Sequence, residues 1–123
     1  MSWKLGYELP KEIYMQTLWF IRTYPQMKEE YTDLIEKAHV MDGQPRGTDV
    51  GDPTGQVATK RAELASKIKA IEDALFEIPV EYRMSVLDSI VLRVPYKDYA
   101  SRKTWATYRR RFVYFVAKFM GFY

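Results

Sequence analysis

The chain has 123 residues, enough for one domain, and 47% of them are hydrophobic. It has no cysteine, which excludes a disulfide framework, a thiolate nucleophile and every zinc site built on cysteine. No apolar run approaches the roughly 18 residues that a membrane-spanning helix needs, and residues 1–14 lack the apolar segment of a signal peptide. We therefore expect a cytoplasmic protein that does not contact a membrane.

Charge is segregated along the chain, although the overall net charge is only +3. Residues 93–123 contain eight basic residues and one acidic residue, Asp98, a net charge of +7. Residues 1–92 contain eleven basic and fifteen acidic residues, a net charge of −4. Such segregation favours a polyanionic partner for the C-terminal end.

The first predicted element is a helix that begins near Pro10. An apolar stripe with alternating spacings of four and three residues defines one of its faces: Ile13, Thr17, Phe20, Tyr24, Met27, Tyr31, Leu34 and Ala38. Pro25 removes a backbone donor, so we expect the helix to kink or split near Tyr24. The pattern is compatible with two collinear helices and with a helical hairpin.

Residues 41–55 contain four Gly, two Pro and three Asp and are predicted to form a flexible linker. Asp52 as N-cap and Pro53 at the first helical position then predict a second long helix that reaches Glu77. Its stripe resembles a coiled-coil seam: Val57, Arg61, Leu64, Ile68, Ile71, Leu75 and Ile78. The stripe suits the first helix of the same chain, which is the favoured partner, or a second copy bound through residues 56–78.

Two further helices complete the prediction. Pro79 opens a third helix that ends near Arg93, and residues 96–100 form at most a single turn. Ser101 is the predicted N-cap of a final helix that runs to Met120 and stops at Gly121. The predicted fold is all-α, with long antiparallel or coiled-coil-like helices followed by a compact C-terminal unit like a helix-turn-helix. Its predicted divisions are an N-terminal helical arm (1–40), the linker (41–55) and a helical DNA-binding domain (56–123).

A helical wheel divides the final helix into two faces. The predicted buried face is aromatic and apolar: Trp105, Tyr108, Phe112, Phe115, Val116 and Phe119. Arg109 lies at its edge, where we expect a carboxylate partner such as Asp88 or Asp98. Four residues with the chemistry to contact bases are predicted near the start of the helix: Arg102, Lys103, Thr107 and Arg110. Three later residues are predicted to contact phosphates: Arg111, Tyr114 and Lys118.

Three stretches resemble the RinA/ArpU-type phage transcriptional activators and, more distantly, the promoter-reading C-terminal domain of sigma factors. They are Tyr24-Pro25 followed by MKEEYTDLIEKA, the segment ATKRAELASKIKAIEDALFEIP, and IPVEYRMSVLDSIVLRVPY followed by SRKTWATYRRRFVYFVAKFMG. The resemblance implies a bacterial or prophage protein that binds promoter DNA with residues 101–111. One departure is that only residues 95–100 occupy the place of the middle helix of sigma-like domains. Double-stranded DNA is the expected partner, with RNA polymerase a further candidate.

The sequence offers few residues for catalysis. His39 is the only histidine, so neither a catalytic triad nor a histidine metal cluster can be assembled. The spacing of Asp42, Asp49 and Asp52 does not match a calcium-binding loop. We expect a DNA-binding regulator that is not an enzyme and has no cofactor or metal. The alternatives are a helical interaction or phage assembly protein, and a DNA-packaging protein that resembles a small terminase subunit.

Overall fold

The fold was obtained as a computed structural model that describes residues 6–42 and 53–123, without the side chains of residues 38–42, 53 and 54. The described part of the chain contains five helices and no strand: α1 (Lys11–Arg22), α2 (Tyr24–Asp42), α3 (Pro53–Leu75), α4 (Val80–Val91) and α5 (Arg102–Met120). The predicted all-α class is confirmed. Asp52 and most of the predicted linker lie outside the described residues.

The predicted break near Tyr24 is confirmed, and it is one residue long. Thr23, between α1 and α2, has φ −83° and ψ −2°, which is close to helical geometry. The backbone N–H of Met27 donates to the carbonyl of Thr23 at 2.8 Å, so the hydrogen-bond ladder resumes at once. A single residue in this conformation cannot reverse the chain, and the junction is therefore a kink rather than a hairpin.

Helices α2 and α3 form an antiparallel pair. The hydroxyl of Tyr24, at the start of α2, donates to Glu72, near the end of α3, at 2.6 Å. Further along α2, Tyr31 lines one groove together with Ala65 and Ile68, which lie further back along α3. The α3 stripe is buried inside the chain at Leu64, Ile68, Ile71, Leu75 and Ile78. An oligomer formed through residues 56–78 would therefore have to use another face of α3.

The ends of the helices follow from local chemistry. Helix α3 begins at Pro53, as predicted, and ends at Leu75, two residues before the predicted Glu77. Its end is tightened by bonds between residues three apart, from Phe76 to Asp73 and from Glu77 to Ala74. Helix α4 follows Pro79 directly, because the fixed φ of proline suits a helix start.

Helix α5 packs against α1, α3 and α4 and is central to the core. Trp105, Phe112 and Val116 are buried, as predicted, and so are Val113 and Ala117. The prediction for Phe119 is wrong, since 46% of this side chain is exposed. The buried arc is rotated towards Arg109, because the small side chains of Val113 and Ala117 face the core and leave Phe119 at the edge.

One hydrophobic cluster joins all five helices. Helices α1 and α2 contribute Leu18, Ile21 and Met27 to the same cluster that contains Ile71 of α3, Ile90 of α4 and Phe112 of α5. The basic C-terminal helix is thus held by the residues that were predicted to form an N-terminal arm.

Candidate nucleic-acid interface

The start of α5 is fixed by its cap and by Trp105. The Ser101 hydroxyl accepts a hydrogen bond from the backbone N–H of Thr104 at 3.2 Å, which confirms the predicted N-cap. The indole N–H of Trp105 donates to the carbonyl of Lys97 at 2.9 Å, and the Tyr96 ring stacks on Trp105 with centroids 5.1 Å apart. The first turn of α5 is therefore tied to the connection before it by a hydrogen bond and a stacked ring pair.

The connection from α4 to α5 covers residues 92–101 and contains turns but no helix. Ten residues exceed the turn of about three or four residues that joins the helices of a standard helix-turn-helix. A groove of about 670 Å³ lies beside the connection, lined by Tyr96, Asp98 and Arg102 among others. The geometry of a standard helix-turn-helix therefore does not apply here, and the exposed surface of α5 indicates which residues could contact DNA.

Seven residues of α5 were predicted to contact DNA, and the structure divides them by exposure. Four are exposed: Arg102, Lys103, Arg110 and Lys118. Three are half-buried: Thr107, Arg111 and Tyr114. The hydroxyl of Thr107 donates to the carbonyl of Lys103 at 2.9 Å and so faces its own helix backbone.

Arg102, Lys103 and Arg110 form what we call the basic stripe. At about 100° per residue they lie within an arc of roughly 100° on α5, together with the small Ala106, and the stripe extends about 12 Å along the helix axis. All four side chains are exposed. Among the residues that the structure describes, no carboxylate forms an ion pair with the stripe. Its charge is therefore available to an external anion.

The neighbouring strip of α5, which contains Arg111, Tyr114 and Lys118, contacts aromatic rings from both ends of the chain. The Tyr7 ring packs edge-on against Tyr114, with centroids 5.4 Å apart, and lies 5.3 Å from the Arg111 guanidinium carbon. The Lys118 ammonium lies 5.8 Å from the centroid of Tyr123. The Arg111 Nε atom is buried without a hydrogen-bond partner. These three predicted phosphate contacts are thus engaged by aromatic rings, a long-range packing that the helical wheel does not reveal.

Arg109 is held by hydroxyl groups, so the predicted pairing with Asp88 or Asp98 is wrong. Its Nε donates to Tyr14 at 3.3 Å, and one Nη donates to Ser89 at 3.4 Å and to Tyr96 at 3.5 Å. Burial lowers the pKa of Arg109, but the bonds to Tyr14 and Tyr96 outweigh it and leave the pKa raised. Arg109 stays charged and ties α1 and α4 to α5 beneath the basic stripe.

Within the described residues, no group of His, Asp and Glu side chains is arranged to hold a metal ion. None of the described helices is both long enough and apolar enough to cross a membrane. The single histidine, His39, has its side chain outside the described part. Comparison with known protein families, with curated proteins and with solved structures finds no match to this chain.

Proposed function

We propose that this protein binds duplex DNA through the basic stripe of α5 and acts as a non-enzymatic DNA-binding regulator. The observation that carries the proposal is the exposed stripe, which forms no ion pair with any described carboxylate and lies on the end of the chain whose net charge is +7. Solvated helix faces usually mix charges of both signs to form pairs four residues apart, and this one does not. The resemblance to RinA/ArpU-type activators favours the same partner.

The mechanism begins with backbone contacts. The stripe is about as long as the major groove of B-DNA is wide, roughly 12 Å, so its cations can approach phosphates at the groove edge. Arg102 and Lys103 lie in the first turn of α5, where recognition helices contact bases. The anchored connection at Trp105 presents this turn without further ordering.

The experiment is fluorescence anisotropy with random-sequence duplex DNA at low salt. The double variant Lys103→Gln/Arg110→Gln should bind this DNA about tenfold or more weakly than the wild type, because two phosphate contacts are lost. The matched control is Lys60→Gln/Lys67→Gln, which removes the same charge from exposed positions on α3. Equal affinity of the two double variants would contradict the proposal.

A helical interaction protein is the second candidate, favoured by one specific observation. A groove of about 620 Å³ between α2, α3 and α4 is lined by exposed apolar side chains: Phe76 (70% exposed), Val80 (69%) and Met84 (61%). Apolar surface of this kind is typical of protein contacts. If the protein does not bind DNA, this groove is the surface to test for a protein partner.

A further inference from the structure

A second group of cations lies at the junction of α1, α4 and α5, and we call it the arginine cluster: Arg22, Arg93 and Arg109. The Arg22 Nε donates to the carbonyl of Ile90 at 3.2 Å, beside the Ser89 hydroxyl that holds Arg109. The guanidinium carbons of Arg22 and Arg93 lie 5.1 Å and 6.0 Å from the centroid of one ring, that of Trp19. Two cations from distant parts of the sequence are thereby brought to one exposed aromatic side chain.

The cluster has no opposing charge in the described part of the chain. No described carboxylate pairs with any of the three arginines. Burial lowers the pKa of Arg22, and the positive charges of Arg93 and then Arg109 lower it further. Neighbouring like charges repel each other, and a bound anion relieves this repulsion.

Arg22 and Arg93, unlike Arg109, keep donors that the described part of the chain does not use. The Nε of Arg22 donates to the protein, but neither of its Nη groups has a hydrogen-bond partner among the described residues. Within residues 6–42 and 53–123, the Trp19 ring is the only partner of the Arg93 guanidinium. Guanidinium groups with free Nη atoms bind tetrahedral oxyanions in a forked geometry.

The backbone of Arg93 provides an independent observation. Its φ is +57°, the only positive φ among the described non-glycine residues, and it follows the C-cap of α4. Glycine is the usual residue at this place, because a side chain is strained in the left-handed region. Strain of this kind concentrates at functional sites. The residue with this strained backbone is the same one whose guanidinium lies beside the Trp19 ring.

We propose that Arg22 and Arg93, with the charge of Arg109 behind them, form a binding site for a phosphate group. The doubly charged phosphate suits several cations better than a carboxylate, which carries one charge. The site goes beyond the proposed DNA contact of the basic stripe and does not depend on it. A nucleic-acid backbone and a small phosphorylated molecule both offer this group.

The test is isothermal titration calorimetry of the full chain with inorganic pyrophosphate at low salt. The wild type should bind, and Arg93→Gly and Arg22→Gln should each bind at least about tenfold more weakly, since each loses one charged fork. Arg93→Gly should melt at the wild-type temperature or above it, because glycine relieves the positive φ. Acetate should bind at least about tenfold more weakly than pyrophosphate.

Arg83 supplies a matched control. Its Nε also donates to a backbone carbonyl, that of Ile78 at 3.0 Å, and its guanidinium carbon also lies over a ring, 4.6 Å from the centroid of Phe76. Among the described residues, Arg83 is the only arginine over that ring. Arg83→Gln should therefore retain wild-type affinity for pyrophosphate.

Two results would overturn the phosphate site: a wild type that does not bind pyrophosphate, and an Arg93→Gly variant that binds it as tightly as the wild type. Lys103→Gln/Arg110→Gln should keep pyrophosphate binding, so this site and the DNA proposal can fail separately. The affinity of the Arg93→Gly variant for duplex DNA then distinguishes the two sources of the phosphate group. A loss of DNA affinity in Arg93→Gly identifies the nucleic-acid backbone, and unchanged affinity identifies a small phosphorylated ligand.

Discussion

Among single residues, Arg109 joins separate parts of the chain, because three hydroxyl groups from α1, α4 and the α4–α5 connection accept hydrogen bonds from it. A half-buried charge without a carboxylate is tolerated when its donors are satisfied and part of it still faces water. Arg109 thus couples the helices that support the basic stripe while it contributes to the charge behind Trp19.

Arg109→Leu should lower the free energy of unfolding by about 1–3 kcal/mol, because Tyr14, Ser89 and Tyr96 lose a charged donor. Urea denaturation followed by circular dichroism measures the change. Arg110→Leu is the control, since Arg110 is exposed and surface substitutions usually fall within about 0.5 kcal/mol. Similar values for the two variants would show that the hydroxyl contacts do not stabilise the fold.

Tyr24 makes folding stability depend on pH in the alkaline range. Burial, followed by its hydrogen bond to Glu72, raises the pKa of Tyr24 above the ordinary value near 10. The unfolded chain therefore loses this proton before the folded chain does. The stabilising contribution is complete below about pH 10 and is lost as the pH rises further.

Tyr24→Phe should consequently be less stable than the wild type at pH 8, by about 0.5–1.5 kcal/mol for the lost hydrogen bond. The difference should shrink above about pH 10, because the wild type alone loses the contribution of Tyr24. Urea denaturation at pH 8, 9 and 10.5 measures it. A difference that stays constant over this range would contradict the assignment.

Among the elements, α5 both packs in the core and carries exposed basic residues. Its apolar arc fills the centre of the core, and the basic stripe lies beside this arc, on the N-terminal half of the helix. The αL residue Gly121, with φ +76°, ends the helix, as predicted. Because the whole helix is fixed at both ends, its cations keep a constant spacing.

Ser101→Ala should destabilise the chain by about 1 kcal/mol through loss of the N-cap, and Ser101→Asp should not, since aspartate caps equally well. Ser66→Ala, at an exposed position within α3, is the control and should be neutral or stabilising. Thermal melting distinguishes the variants. Equal melting temperatures for the two alanine variants would mean that the cap does not limit the stability of α5.

At the level of the whole molecule, the features that depend on neighbouring residues could be predicted from the sequence. The caps at Ser101 and Gly121, the start at Pro53 and the break at Tyr24 all follow from chemistry within one helical turn. The charge segregation that indicates a polyanionic partner also follows from the sequence alone.

The features that depend on distant residues could not be predicted. The partners of Arg109 come from residues up to 95 positions away, and Tyr7 covers Arg111 from the other end of the chain. Periodicity assigns a side chain to a face, but it does not say which neighbouring helix will meet that face. The arginine cluster escaped prediction for the same reason, since only the packing of α1 on α4 brings Arg22 to Arg93.

The most direct measurement for the central claim is the salt dependence of wild-type binding to random duplex DNA. Neutralisation of three phosphates by the basic stripe predicts a slope of log K against log salt of about −2.7, a loss of about 40-fold between about 50 and 200 mM salt. Lys103→Gln/Arg110→Gln should flatten the slope by about 1.8. Absence of binding at low salt, or a slope that the double variant leaves unchanged, would contradict the assignment of α5 as the DNA-binding surface.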